Sequence, residues 1–320
     1  DSTSQWLTAH PAALNAIRKV LGKADYKAHA GVYTGGANAV YWVQKTYTHP
    51  NGDVVVQNIT EGAKIKVEQV SMTVEPDLLY PLLRGRDVQR WHAQPSAWII
   101  VPRLKPQQVI PLSEMQVKFP KTYAYLKRFA PTLLQRKDAI TQGALKRGEP
   151  FYFYGAVDDY TFAPWKVVWT RIGSIQAAVV SSVSSDDEKV VIPQETITLV
   201  PCNSSEEAHY ICAIVNSVVF QFAAESYSQK GGKSMGTMHL LDHIRIPRYD
   251  PNNPVHREFA DLSRQAHVIV ARGDTARLGQ VEKKIDELAA QVWGLTESEM
   301  DAIRQSLQTT DSDENNDLDS

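Results

Sequence analysis

At Ser204 the sequence changes its period, and that switch constrains the fold more than any other feature of this 320-residue chain. Before it, short runs rich in β-branched and aromatic residues are separated by glycines and by the Asn51-Gly52 turn. Such runs, at 40–43, 54–56, 65–67, 97–101, 151–154, 166–172, 177–181 and 190–200, predict antiparallel strands and hairpins. One helical insertion, at about 120–139, interrupts them. After the switch, Ser204-x-x-Glu207 forms a capping box ahead of Ile211, Ile214, Val215, Val218 and Phe222. Asn253-Pro254 joins an N-cap to a first-turn proline and opens a stripe of Val255, Phe259, Leu262, Ala266 and Ile269 that ends at Gly273. A third stripe, Val281, Ile285, Leu288 and Val292, stops at Gly294, and Thr296-x-x-Glu299 caps a last helix through Met300, Ile303 and Leu307. A short helix at 14–21 precedes all of this and ends at Gly22, an expected left-handed cap. Strands followed by helices, without βαβ alternation, predict an α+β fold: a β-rich domain with a helical insertion, then a C-terminal helical bundle or arm. The expected division is a helical linker at 1–24, the β-rich domain at 25–250, the helical region at 251–309 and a disordered acidic tail at 310–320.

The net charge of -2 hides a segregation. Between Arg84 and Arg147 stand thirteen basic side chains against three acidic ones, whereas 311–320 holds five acids and no base. A chain this balanced overall is not a histone-like coat, but its middle third is cationic enough to face a polyanion. Cys202 and Cys212 are too few for a disulfide framework or a four-ligand zinc site. No apolar run reaches the length of a membrane span and no signal-peptide layout opens the chain, so a cytoplasmic protein without a membrane partner is expected.

Catalytic motifs are missing where they are sought. Gly232-Lys233-Ser234 copies the end of a phosphate-binding loop, yet Tyr227 stands where its first glycine belongs. There is no GxSxG, HExxH or GxGxxG. Asp186, Asp187 and Lys189 could serve a metal-dependent nuclease, but their Ser-rich, charged surroundings read as a solvated turn. His239 and His243 read as structural or surface residues. The expectation is no catalytic residue and no metal ligand. What remains is a surface for anions: the segment at 82–91 (LLRGRDVQRW), the cluster Lys121, Lys127, Arg128, Arg136 and Lys137 on the insertion, and the loop at 228–234 with Lys230, Lys233 and Ser234. The first two have plainer readings, an Arg86–Asp87 ion pair for the one and a solvated face for the other.

Five stretches together carry a resemblance. They are GVYTGGANAVY at 31–41, LLRGRDVQRW at 82–91, YICAIVNS at 210–217, LLDHIRIP at 240–247, and IDEL through WGLTE at 285–297. In order and spacing they resemble the C-terminal specificity region of large adenine-N6 DNA methyltransferases, the TaqI-like specificity domain of type IIG restriction-modification proteins. The resemblance spans most of the chain and implies a strand at 240–247. That family's cofactor-binding glycine motif and its Asn/Asp-Pro-Pro-aromatic motif are absent, since Asn253-Pro254 continues Val255-His256.

The resemblance therefore implies a segment that recognises double-stranded DNA, binds no cofactor itself, and works with an upstream methyltransferase domain that uses S-adenosylmethionine. The residues expected at the DNA are Thr34, Asn38, Arg84, Arg86, Arg90, Lys121, Lys127, Arg128, Lys230, Lys233 and Ser234. The alternative is a non-catalytic interaction scaffold that uses the helices from Asn253 onward.

Overall fold

The computed structural model describes residues 11–182, 189–227 and 236–317. Helix α1 (Pro11–Val20) leads to β1 (His29–Ala30) and a single helical turn, α2 (Asn38–Tyr41). Strands β2 (Trp42–Thr48), β3 (Val54–Asn58), β4 (Ser71–Val74) and β5 (Leu79–Leu83) follow, then the ribbon β6 (Val88–Gln89) and β7 (His92–Ala93). Next come β8 (Ala97–Ile100) and a second ribbon, β9 (Arg103–Lys105) and β10 (Gln108–Val109). The insertion holds α3 (Leu112–Lys118), α4 (Pro120–Arg128), α5 (Ala130–Leu134) and α6 (Ala139–Lys146), and is longer than expected. Strands β11 (Trp165–Thr170), β12 (Ala177–Ser181), β13 (Ile192–Pro193) and β14 (Ile197–Cys202) precede the helices α7 (Ser205–Asn216), α8 (Val218–Tyr227), α9 (Pro254–Arg272), α10 (Thr275–Trp293) and α11 (Glu297–Asp317). The fold is α+β, and no helix among the described residues is long and apolar enough to cross a membrane.

Two sheets carry the β-rich part. One has six strands in the order β13-β5-β8-β2-β3-β4, antiparallel except for the β13–β5 pair. Its apolar face, with Val54 and Val56 alternating inward on β3, packs against Tyr125, Leu126 and Leu133 of the insertion. The other is antiparallel, β1-β14-β11-β12, and is buried on both faces. Val167 and Trp169 face the C-terminal helices, while Val168 meets Leu83, Val88, Val180, Ile197 and Leu199 in the seam that joins the sheets. The run expected as one strand at 190–200 breaks at this seam. A turn closed by Ile197 N–H on the Gln194 carbonyl at 2.9 Å passes the chain from one sheet to the other. Gly31 lies against that crossing, where a Cβ would overlap the Gln194 carbonyl.

Arginine and tyrosine side chains replace a backbone ladder in the insertion. Arg136, expected on a solvated face, is instead fully buried and donates to the carbonyls of Leu133 at 2.8 Å, Thr34 at 3.1 Å and Phe151 at 2.8 Å. Arg103 takes the Tyr154 carbonyl, and the Tyr41 hydroxyl takes that of Tyr152 at 3.0 Å. Those acceptors are therefore spent on side chains, so 151–154 is a turn and not the expected strand. The expected strand at 65–67 is absent, and the loop that follows it is held by the Asn58 amide through Val70 N–H at 2.7 Å and Glu68 O at 3.0 Å. The run at 40–43 begins as the turn α2 and becomes strand only at Trp42.

The helix signals read in the sequence are realised. Ser204 accepts from Glu207 N–H at 3.1 Å, Asn253 from Val255 N–H at 2.9 Å, and Thr296 and Glu299 cap each other. Gly273 and Gly294 take left-handed φ of 71° and 61°. Gly22 does not: at φ 150° its N–H meets the His243 carbonyl at 2.9 Å, and Leu21 bridges Ile244. That lone bridge and one 3-10 turn, Leu240–Asp242, stand where a strand at 240–247 is expected. Helix α11 runs to Asp317, so the acidic stretch expected as a disordered tail is helical through that residue.

A buried imidazole pair fastens α9 to α7 and β12. His267 Nε2 accepts from Val179 N–H at 3.0 Å, which fixes its proton on Nδ1, bonded to the Ser263 carbonyl at 2.8 Å. His209 Nδ1 meets Ser263 Oγ at 3.0 Å, and the two rings stand 5.0 Å apart. Burial, then the neighbouring imidazole and Arg264, lowers His209 to about 3. Burial lowers His267 to about 4 from the ordinary 6.5. A depressed histidine contributes stability above its unfolded value and loses it as pH falls through 6.5 toward 4. At about 1.4 kcal/mol per pH unit, His267 alone should cost about 3 kcal/mol across that window. Urea unfolding at pH 7.5 and 4.5 should show this loss, and it should shrink in His267→Gln.

Candidate nucleic-acid interface

The segment at 82–91 is built as a joint. After β5 the chain makes a 3-10 turn over Gly85–Asp87, and Asp87 Oδ2 accepts from Arg84 N–H at 2.8 Å. The Arg84 guanidinium, only 6% exposed, lies 3.5 Å from the same carboxylate and donates to Ser96 Oγ, which donates to Asp87. Asp87 therefore pairs with Arg84, not with Arg86. Further on, Trp91 adopts φ 62° and buries its ring, and its N–H bonds the Ala177 carbonyl at 3.0 Å. Its indole N–H and the Arg90 guanidinium share one acceptor, Glu282 Oε1 on α10, the indole at 2.7 Å. Arg90 also reaches the Asn216 carbonyl at the end of α7, at 2.7 Å. Arg90, together with Trp91, thus ties the β-rich part to the C-terminal helices, while Arg84 holds the segment to itself through Asp87 and Ser96.

Arg86 is different. It is exposed, forms no hydrogen bond or ion pair among the described residues, and lines a cleft of about 620 Å³ along the seam. Trp42 and Ile59 of the six-stranded sheet form one wall, and Thr170 and Ile172 at the end of β11 form the other. Gln194 and Thr196, from the crossing between sheets, lie between them and are hydrogen-bonded to each other. Two donors here are short of acceptors: the buried Nε1 of Trp42 and Nε of Arg84 have no hydrogen-bond partner among the described residues.

The other expected residues scatter around this frame. Thr34 is fully buried, with its hydroxyl on Asn38 and its carbonyl on Arg136. Asn38 in turn bonds Glu195, whose carboxyl burial pushes up. Lys121 pairs with Asp53, and Arg128 holds Glu68 through two bonds, at 2.5 and 2.9 Å. Each cation keeps its carboxylate below the ordinary range, chiefly by the hydrogen bond it donates. Lys127 is exposed, with its ammonium 5.7 Å from the Tyr123 ring. Lys230, Lys233 and Ser234 lie outside the described residues, as do Asp186 and Asp187. The third residue of that acidic reading, Lys189, lies on the carbonyls of Pro76 at 2.5 Å and Leu79 at 2.8 Å. His239 faces Asp242 at 3.3 Å on the surface, and His243 stacks on Tyr227 at 4.1 Å. Among the described residues, no three or more His, Cys, Asp or Glu side chains gather as a metal site. Both cysteines are buried and unbridged, and burial pushes the Cys212 thiol up to about 12.

Sequence reasoning missed Trp42, Glu282 and the Gln194–Thr196 crossing. Only Trp42 had a local signal, as the aromatic that begins β2; the other two matter through partners far along the chain.

No protein-family model matches the chain, and no curated protein matches it. Among solved structures, the type IIL restriction-modification enzyme MmeI, determined in complex with DNA, is similar at TM-score 0.50 and 11% identity over 92% of this chain and 37% of that one. The type IIG restriction endonuclease BpuSI is similar at TM-score 0.41 and 12% identity, over 87% of this chain and 32% of that one. The chain spans about a third of the length of these enzymes, and at such identities the likeness is one of fold.

Removing a shared acceptor leaves two donors stranded at a cost of about 1–3 kcal/mol. Glu282→Ala should therefore lower unfolding stability by about 2 kcal/mol in urea titrations, whereas Arg86→Ala should stay within about 0.5 kcal/mol.

Proposed function

We propose that this chain is the DNA target-recognition segment of a restriction-modification protein. On this reading it grips a duplex for a neighbouring adenine-N6 methyltransferase domain of the same protein, which binds S-adenosylmethionine and receives the flipped adenine. The observation that carries the reading is the fold shared over 92% of the chain with an enzyme determined on DNA. The five motif stretches and the cationic middle third agree with it.

The chemistry divides the basic residues by burial. An exposed ion pair is worth about 0–1 kcal/mol, so Lys121 and Arg128 can leave Asp53 and Glu68 for a phosphate at small cost. Arg86 and Lys127 need leave no carboxylate at all. Lys230, Lys233 and Ser234 join the proposed contacts on their sequence alone. Arg84 and Arg90 serve by holding the cleft and the helices in register, since withdrawing either guanidinium strands its partners. Thr34 and Asn38 act likewise, fixing the turn beside Glu195.

Phosphate neutralisation releases counterions, so log K should fall with log salt at roughly −0.9 per phosphate, or about −4.5 for about five contacts. Fluorescence anisotropy with a labelled duplex, from about 50 to 200 mM salt, should give a slope of that order. Arg86→Ala should flatten the slope by about 0.9, and Arg84→Ala should leave the slope unchanged while lowering stability. Duplex binding that ignores salt, or no duplex binding at all, would overturn the reading.

A further inference from the structure

Helices α9 and α10, each of 19 residues, pack against one another and spend their other faces inside the molecule. Phe259 and Ala266 of α9 are in the core, and His267 reaches β12. On α10, Ile285 is buried, Glu282 holds Arg90 and Trp91, and Asp286 caps α8. A groove of about 480 Å³ runs between the two helices, and every residue that lines it belongs to one of them. Its floor is apolar. Leu262 and Val281 lie nearly buried at the base, with Ile269 half-buried and Val268 47% exposed beside them. A valine left in water in mid-helix gains neither helix propensity nor burial.

The rim is cationic. Arg277 and Lys284 stand on α10 and Arg264 on α9, and no carboxylate lines the groove among the described residues. Lys284 is exposed and makes no hydrogen bond or ion pair among the described residues. Arg277 is exposed and 3.5 Å from Asp274. Arg264 is held by Glu206 at 2.6 Å and Asp261 at 2.8 Å, which fixes its guanidinium at the edge of the groove. Pairs this open to solvent exchange readily for another carboxylate. Arg277 and Lys284 lie two turns apart on one face of α10, about 10 Å along its axis.

An apolar floor between cations suits one kind of guest. A nucleic-acid backbone would pair with the rim and leave Val268 and Ile269 uncovered. An amphipathic helix satisfies both: apolar side chains at i, i+3 and i+7 fill the floor, and flanking carboxylates two turns apart match the spacing of Arg277 and Lys284. The groove has room for a row of side chains and not for a helix about 10 Å across, so the guest lies along it and inserts one face.

We infer that the α9–α10 groove docks an acidic amphipathic helix of a partner protein. None of the residues proposed to hold DNA lines this groove, so the inference stands or falls apart from that reading.

Fluorescence anisotropy of the full chain with labelled peptides of about 18 residues, long enough to be helical, tests it. The first peptide carries leucines on one face flanked by glutamates. The second has lysines for the glutamates, and the third reorders the first so that its leucines encircle the helix. The wild-type chain should bind the first about tenfold more tightly than the other two, and less tightly as salt rises. Val268→Asp puts a carboxylate on the floor and should abolish binding, with the urea midpoint unchanged because the position is exposed. Lys284→Glu should weaken the first peptide by about tenfold, attraction giving way to repulsion, and should bind the second more tightly than the wild type does. A change of fold could not produce that reversal. No binding of the first peptide up to about 1 mM, equal binding of the first and third, or binding that both variants leave unaltered would overturn the inference. So would a duplex that displaces the first peptide and loses affinity in Lys284→Glu, since the groove would then take phosphate.

Discussion

One carboxylate oxygen on α10 fastens the β-rich part to the C-terminal helices across a long stretch of sequence. Glu282 Oε1 accepts from both Arg90 and Trp91, nearly two hundred residues away in the chain. Half-buried charge of this kind persists when it is paired and hydrogen-bonded, and the Asn216 carbonyl takes a further guanidinium N–H, from Nη2. From this junction follows the placement of β6 and β7 against the four-stranded sheet, and with it the wall of the seam. It also decides which cations are left over. Basic residues that look equivalent in the sequence separate into those that hold the frame and those that face solvent.

The stretches that carried the family resemblance turn out to be joints of the same sort. Asn216 of YICAIVNS bonds the edge of β12 through both the N–H and the carbonyl of Ala177, at 2.9 and 2.8 Å. Asp286 of IDEL caps α8 by accepting Val218 N–H at 2.8 Å, and burial raises its carboxyl to about 6. Trp293, just before the Gly294 cap, donates to the Arg245 carbonyl at 3.1 Å and so fastens α10 to LLDHIRIP. A motif of this type reports how one element meets another. It locates the frame of a function more directly than the residues that touch a ligand.

This explains what could and could not be read in advance. Helix ends were legible because Ser204, Asn253, Thr296, Gly273 and Gly294 act within a few residues of themselves. The strand expected at 151–154 was not, because its carbonyls are claimed by Arg136, Arg103 and Tyr41, none of them a near neighbour in sequence. Arg136 defeats composition altogether. Its neighbours Lys137 and Arg128 are exposed, as a basic helical face would be, yet it is buried against three carbonyls. Of the candidate site, the basic segment at 82–91 was found, while the cleft beside it depends on a sheet-to-sheet crossing that no local pattern encodes.

Burial also limits where a duplex could lie on the proposed reading. The four-stranded sheet is covered on one face by the C-terminal helices and on the other by the seam, so it has no free face to offer. One face of the six-stranded sheet is occupied by the insertion. Among the described residues, the surfaces left open include the outer side of the insertion, with Lys121, Lys127 and Arg128, and the mouth of the seam, with Arg86. The first offers charge on helices, in pairs that exchange readily for phosphate. The second offers one free charge beside an exposed Ile172. A surface of exchangeable cations sets affinity and register, whereas apolar contact at the seam releases no ions. The two would therefore respond differently to salt: affinity carried by the insertion should weaken as ions compete, and selectivity carried by the seam should persist.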